Sequence, residues 1–314
     1  MIDIQNSLVI PIYKNEDNLD DLLIILEKLN LQIANLEVVF VVDGSPDKCF
    51  EILSARLISA TFSSQLLLLS RNFGSFAAIR KGLEVSKGNY FAVMAADLQE
   101  PPLLIKDFFT SLKEEDVEVA LGVRNSRNDE SISDFFSMLF WTIFSKFVIK
   151  DVPKGGVDVF GCNLAVRDAL LKLNESNTSL IGQLFWVGFK RKFFSYDRLH
   201  RQKGVSAWNF TRKLRYMLDS IFAFSDLPLL MLLWIGLFGI ISSGTISIIV
   251  LLAWLFQLIS VHGYTPIILS IYFIGSILIF GQGIIGCYVW RCAENTKQRP
   301  ITLVARHDMF NTKI

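Results

Sequence analysis

Residues 227–290 form a run of 64 residues without one Asp, Glu, Lys or Arg. As a straight helix rising 1.5 Å per residue it would reach about 96 Å, roughly three times a ~30 Å hydrocarbon core. The run therefore has to fold back on itself. His262, Gly263, Tyr264, Thr265 and Pro266 supply the break, which predicts one helix over about 228–260 and a second over about 266–290. Arg212, Lys213 and Arg215 precede the pair, Arg291, Lys297 and Arg299 follow it, and the break itself carries no Lys or Arg. Under the positive-inside rule both flanks stay in the cytoplasm. The other fold open to such a run is a very apolar core hairpin in a soluble protein.

The charge deficit is confined to this run. The chain has 314 residues with Lys+Arg 31 and Asp+Glu 30, a net charge of +1, and only 19% charged residues overall. Outside 227–290 the charged share rises to about 24%, the level of soluble domains. A disordered chain, a disulfide-stapled mini-protein and a polytopic transporter are excluded. A nucleic-acid partner is not expected, because there is no basic excess to neutralise phosphates. The N-terminal residues MIDIQNS lack a basic region followed by an apolar one, so export of the first domain is not expected. Cys49, Cys162, Cys287 and Cys292 show no metal-ligand spacing and read as reduced thiols. The expected division is a catalytic domain over 1–225, a transmembrane hairpin over 226–291 and a cytoplasmic tail over 292–314.

The first 125 residues alternate strand and helix signals. Apolar runs at 7–11, 38–42, 66–69, 90–95 and 117–122 each stop at polar residues, and helical spacing follows at 18–29 and 75–85. This pattern predicts an α/β fold, a mostly parallel sheet covered on both faces, with ligands bound beyond the strand ends. Neither G-x-x-x-x-G-K-[ST] nor G-x-G-x-x-G occurs, so the phosphate-loop and dinucleotide fingerprints are absent.

PIYKNEDNL at 11–19, VVDGSPD at 41–47, RNFGSFAAIRKGL at 71–83 and AADLQEPP at 95–102 occur in an order and spacing that resembles family 2 glycosyltransferases. The likeness is greatest to the polyisoprenyl-phosphate branch, bactoprenol glucosyltransferases and dolichol-phosphate mannose synthases. It continues through GGVDVFGCNLAVRDAL, RQKGVSAWNFTRKLRYMLDSIFAFS and RCAENTKQRP. The resemblance implies a glycosyltransferase-A-type (Rossmann-like) catalytic domain, interfacial amphipathic helices over about 131–150 and 206–224, and the two-helix hairpin. It implies transfer of a hexose from a nucleotide sugar to undecaprenyl phosphate at the bacterial inner membrane. UDP-glucose or a UDP-N-acetylhexosamine is the expected donor. A GDP-mannose enzyme and a silent nucleotide-sugar binder are the alternatives. A homo-oligomer, a tetramer, is expected.

By the same resemblance, Asp97 and Asp158 are catalytic, and Asp97 with Gln99 holds Mg²⁺ or Mn²⁺. Pro11, Tyr13, Asn15, Glu16, Val41, Asp43, Ala96, Arg124 and Arg201 bind the nucleotide sugar. Arg127, Arg198, Lys203 and Ser206 face the acceptor phosphate. Guanidinium forks suit phosphate oxygens, and a carboxylate at a strand end suits a hard cation. The chain departs from the family where a first metal carboxylate is Ala95 and a first aspartate is Val42; Asn15 stands in the place of a Glu, with Glu16 beside it. A phosphate monoester has a second pKa near 6 and is mostly a dianion at neutral pH, so Asp158 is expected to position a sugar hydroxyl or the metal rather than act as a base.

Overall fold

The computed structural model describes residues 4–124, 153, 157, 159–175, 178–199, 218–225, 227–256 and 264–311. Eight strands form one sheet: β1 (Asn6–Ile12), β2 (Leu36–Val42), β3 (Ser63–Leu69), β4 (Tyr90–Val93), β5 (Val119–Arg124), β6 (Val159–Asn163), β7 (Arg191–Tyr196) and β8 (Val304–Phe310). Their spatial order is β7-β5-β6-β4-β1-β2-β3-β8. The four strands β3, β2, β1 and β4 run parallel, β6 lies antiparallel between β4 and β5, and β7 runs parallel to β5. Apart from β6 and β8, every strand therefore ends at the same edge of the sheet.

Side-chain alternation assigns the two faces. Leu8, Ile10, Ile12, Val38, Phe40 and Val42 pack with α1 (Leu19–Asn30), α2 (Cys49–Arg56) and α4 (Pro102–Glu114). Val9, Val39, Val41 and Leu67 point the other way, towards α3 (Ser75–Val85), α5 (Leu164–Lys172) and α6 (Leu180–Trp186). Because both faces are covered, β2 reads LEVVFVV and is buried at every position. Leu19, Leu22, Leu26 and Leu29 form the buried stripe of α1. Asn163 caps α5 by accepting from Val166 N at 3.0 Å, and Ser179 caps α6 by accepting from Gly182 N at 3.1 Å. Gly82 lets α3 lie against β1: a Cβ there would sit 2.3 Å from Val9 Cγ1.

Among the buried polar residues of this core is Glu37, which is fully buried. Its carboxylate accepts from Ser7 Oγ (2.8 Å), Gln65 Nε2 (2.8 Å) and Lys87 N (3.0 Å). Three donors replace the water it loses, which makes a buried carboxylate tolerable.

Two long helices follow, α7 (Leu227–Leu255) and α8 (Tyr264–Thr296), of 29 and 33 residues. Tyr264, Thr265 and Pro266, expected in the break, form the first turn of α8, while His262 and Gly263 lie outside the described residues. Helix α8 runs six residues beyond the expected end because Arg291, Ala293 and Glu294 are sound helix formers, and nothing before Pro300 stops them. Among the described residues no single helix is long and apolar enough to cross a membrane; Leu218–Phe224 and Pro228–Gly239 reach that length and composition only as a sharply bent pair. The α7 backbone is nonetheless unbroken and uncharged. The tail is not simply a tail. Residues 304–310 return to the catalytic sheet as β8, antiparallel to β3.

Candidate active site

The crevice opens where the chain changes direction across the sheet. The chain fills β1, β2 and β3 in order and then passes to β4 on the other side of β1, so the switch point lies between β1 and β4. Their pairing ends at Val9 and Val93, with one more bond from Met94 N to Val9 O at 3.1 Å. Beyond it stands Pro11, which has no N–H to offer β4; it pairs only with Val41 on the β2 side. The strands separate there, and the loops after β1 and β4 form the two lips.

Tyr13 is half-buried on the first lip, with Lys14 Nζ 5.5 Å from its ring centre. Asn15 and Glu16 build this lip more than they line it. Asn15 Oδ1 accepts from Tyr13 N (3.3 Å), and Glu16 Oε2 accepts from Lys48 N (2.9 Å). Lys14 N donates to Ser45 Oγ (2.8 Å) and Glu16 N to Asp47 Oδ2 (3.3 Å). The loops after β1 and β2 are thus clasped together. Burial pushes the Asp47 carboxyl up, but donors from Ser45, Cys49 and Glu16 together outweigh it and hold the carboxyl below its usual range. The neighbouring Cys49 thiol is pushed up to about 12 by burial and by Asp47, and is inert.

Asp43 is almost fully buried, and its two oxygens accept from Phe73 N (2.7 Å) and Gly74 N (2.8 Å). Burial raises its carboxyl above the usual range, and these two bonds offset part of the rise. The carboxylate orders the 71–74 loop. Gly44, at φ +54°, lies so close to that loop that a Cβ would meet the Arg71 carbonyl carbon at 2.2 Å and Asn72 N at 2.5 Å. Val41 and Ala96 are buried in the core, so they can meet a nucleotide only through their backbones.

On the second lip, Asp97 is half-buried and its Oδ1 accepts from Gln99 N at 3.4 Å. Between them Leu98 adopts φ +57°, a left-handed conformation uncommon for a bulky residue. Strain of this kind collects at functional sites. Gln99 is buried and staples this turn to the segment after β7. Its Nε2 donates to Leu199 O (3.3 Å), its carbonyl accepts from Leu199 N (2.9 Å), and its Oε1 accepts from Arg198 Nη2. Arg198 therefore stands beside Asp97 at the same sheet edge as Arg124, the last residue of β5. Asp158, Arg127, Arg201, Lys203 and Ser206 lie outside the described residues.

Among the described residues no group of three or more His, Cys, Asp or Glu is placed to hold a metal ion. Ala95 supplies no carboxylate, and the Gln99 amide is engaged with Arg198 and Leu199. The donor set fits a divalent ion only as a shared one, with Asp97 as the protein ligand and diphosphate oxygens completing the shell.

The comparisons say which family this mixed sheet and its crevice belong to. Residues 7–173 match glycosyl transferase family 2. An uncharacterized glycosyltransferase, sll0501, of Synechocystis sp. (strain ATCC 27184 / PCC 6803 / Kazusa) is 31% identical over 307 residues, covering 96% of this chain and 95% of that one. The bactoprenol glucosyl transferase of Shigella phage SfX is 27% identical over 304 residues, covering 95% and 98%. Among solved structures, mannosyl-3-phosphoglycerate synthase from Rubrobacter xylanophilus is 14% identical with a TM-score of 0.46, covering 70% and 72%. The chain belongs to glycosyl transferase family 2 and is a glycosyltransferase.

Proposed function

We propose that this enzyme transfers a hexose from a nucleotide sugar, UDP-glucose or a UDP-N-acetylhexosamine, to undecaprenyl phosphate, with inversion at the anomeric carbon. The product is a lipid-linked sugar for modifying O-antigen or another envelope glycan. The observation that carries this reading is the similarity to a bactoprenol glucosyl transferase, which runs past the catalytic domain and through both long helices. The chain's own architecture supports the membrane part. Helix α7 has 29 uncharged residues, about 44 Å at 1.5 Å per residue. Strand β8 follows α8 and pairs with β3, so whatever lies between crosses a bilayer an even number of times. A two-helix hairpin in the bacterial inner membrane, with the catalytic sheet and β8 on the cytoplasmic side, satisfies this, and the assembly is a homo-tetramer.

In the reaction an acceptor phosphate oxygen attacks the anomeric carbon of the sugar. A C1–O–P bond forms to the lipid phosphate as the C1–O bond to the nucleoside diphosphate breaks, and the electron pair leaves with the diphosphate. The acceptor is mostly a dianion at neutral pH, so no base is required. The protein's task is to position two anions and neutralise the charge that develops on the leaving group. Tyr13 and Asp43 hold the nucleoside between the clasped loops. Arg124 and Arg198 present guanidinium groups to the phosphates, with Gln99 fixing the position of Arg198. A divalent ion, Mg²⁺ or Mn²⁺, held by Asp97 would supply charge to the departing diphosphate.

The test is purified protein with undecaprenyl phosphate and labelled UDP-, GDP- and dTDP-sugars, with Mg²⁺, with Mn²⁺ and with EDTA. Lipid-extractable label from a UDP-hexose, lost in Asp97→Ala, is the expected result. Label from GDP-mannose alone would replace the donor. Nucleotide binding without label from any donor would make the chain a silent binder.

A further inference from the structure

We propose that the segment at the start of β8, Thr302 and Leu303, positions the 71–74 loop and so sets donor affinity from the far end of the chain. The inference rests on the reading above only in taking that loop as part of the donor site. Three observations carry it. Because β8 is antiparallel to β3, its first residues lie against the last residues of β3, with Val304 opposite Leu69 and a register break between Leu68 and Leu69. Such irregularities re-aim the chain where pairing ends. Ser70 N then donates to Leu303 O at 2.9 Å, and Thr302 is buried. Ser70 directly precedes Arg71, whose backbone rests on Gly44, and Phe73 and Gly74 are held by Asp43.

The loop is thus fixed at both ends, by Asp43 on its far side and by Leu303 on its near side. Without β8, Ser70 N would lose its acceptor and β3 would become a bare edge. The same segment leads directly from α8. That helix is tied to the segment before α7 by an Arg291 to Asp219 ion pair (2.7 Å) and by Tyr288 Oη donating to Ser225 O (3.4 Å). The position of the helix pair is thereby transmitted over a few residues to the donor loop. At its other end β8 is held independently: Asn311 Nδ2 donates to Leu57 O (3.0 Å) and Ala60 O (2.7 Å), and His307 Nε2 lies 2.7 Å from Gln65 Oε1.

The two ends allow an internal control. Full-length protein in detergent is compared as wild type, as Thr302→Gly/Leu303→Gly, which loosens the loop end, and as Asn311→Ala, which loosens the far end. Amide hydrogen exchange at Phe73 and Gly74 reads the loop without any ligand. Exchange about tenfold faster in the 302/303 variant and unchanged in Asn311→Ala is expected. UDP affinity by calorimetry should weaken by about tenfold in the first variant only, with the apparent KM for undecaprenyl phosphate unmoved. A synthetic peptide spanning 300–314 should restore UDP affinity to a chain truncated after Pro300. Equal exchange in all three proteins, or equal acceleration in both variants, would overturn the proposal. A wild type that binds UDP but transfers nothing would refute the transferase reading and leave this contrast intact.

Discussion

Gly44→Ala puts the packing of the donor loop to a quantitative test. The position requires φ +54°, which costs an L-residue about 1–2 kcal/mol. Space is the larger problem. The new Cβ would lie 2.2 Å from the Arg71 carbonyl carbon, whereas carbon atoms settle at about 3.5–4.0 Å, so the 71–72 backbone must retreat by more than 1 Å. The bonds from Phe73 and Gly74 to Asp43, now 2.7 and 2.8 Å, would then exceed hydrogen-bonding range. Hydrogen bonds to a charged group contribute about 1.5–3 kcal/mol each, and Asp43 would stay buried without these two donors. Allowing for partial relaxation, the expected loss is about 3–6 kcal/mol. At about 2–4 °C per kcal/mol for a domain of this size, Tm should fall by roughly 10 °C. UDP affinity should fall by about 100-fold, measured by calorimetry below the lowered Tm. An alanine variant melting within about 2 °C of wild type and binding UDP equally well would refute the packing argument, since neither the φ nor the contact would then matter.

Other perturbations separate scaffold from site. Glu37→Gln should destabilise the fold by about 2–4 kcal/mol in urea unfolding, because its new NH₂ faces the Gln65 or Ser7–Lys87 donors, while the donor KM stays put. Gln99→Ala should free Arg198 and loosen the Asp97 turn, lowering kcat/KM by about 10–100-fold with Tm nearly unchanged; a large Tm loss with intact kcat/KM would count against the staple. The Asp47 carboxyl sits below its unfolded value of 3.8, so its contribution is complete above that pH and is lost as pH falls through the lower folded value. Acid unfolding curves of wild type and Asp47→Asn should therefore converge below pH 3.8 and diverge above it. His307 is held below 6.5, chiefly by desolvation and then by Lys87, so β8 docking should weaken as pH falls through 6.5 and below, visible as faster proteolysis of the C-terminal segment.

Strands β1 to β5 were legible because each contains a buried apolar run, as in LEVVFVV before Asp43, whereas β6 and the half-exposed β7, RKFFSY, were not named. Asp97 and Arg198 were named from the family resemblance, and each contacts Gln99 at the sheet edge. The roles of Asn15, Glu16 and Gln99 were not, because a motif states which residue stands at a turn and not which neighbour it bonds. Glu16 meets Lys48, and Gln99 meets Arg198 across 99 residues. Gly44 could have been singled out from the Asp-Gly-Ser turn, although its contact with Arg71 is a tertiary fact. Strand β8 was missed because VARHDMF alternates weakly and carries two charged residues and a histidine among seven. An edge strand of this kind is specified by its partner β3 more than by its own pattern.

The placement of β8 also has a consequence in time. Its partner β3, SSQLLLL, leaves the ribosome about 235 residues earlier, and at about 5–20 residues per second the gap lasts on the order of ten to fifty seconds. Throughout that interval an apolar strand with one open edge waits while two long apolar helices are made and placed. This edge of the sheet is closed by residues made after both helices, so the 71–74 loop acquires its support from Leu303 only once the helices have been delivered. Synthesis thereby orders assembly, and an unfinished chain stays both aggregation-prone at β3 and poorly able to hold its nucleotide.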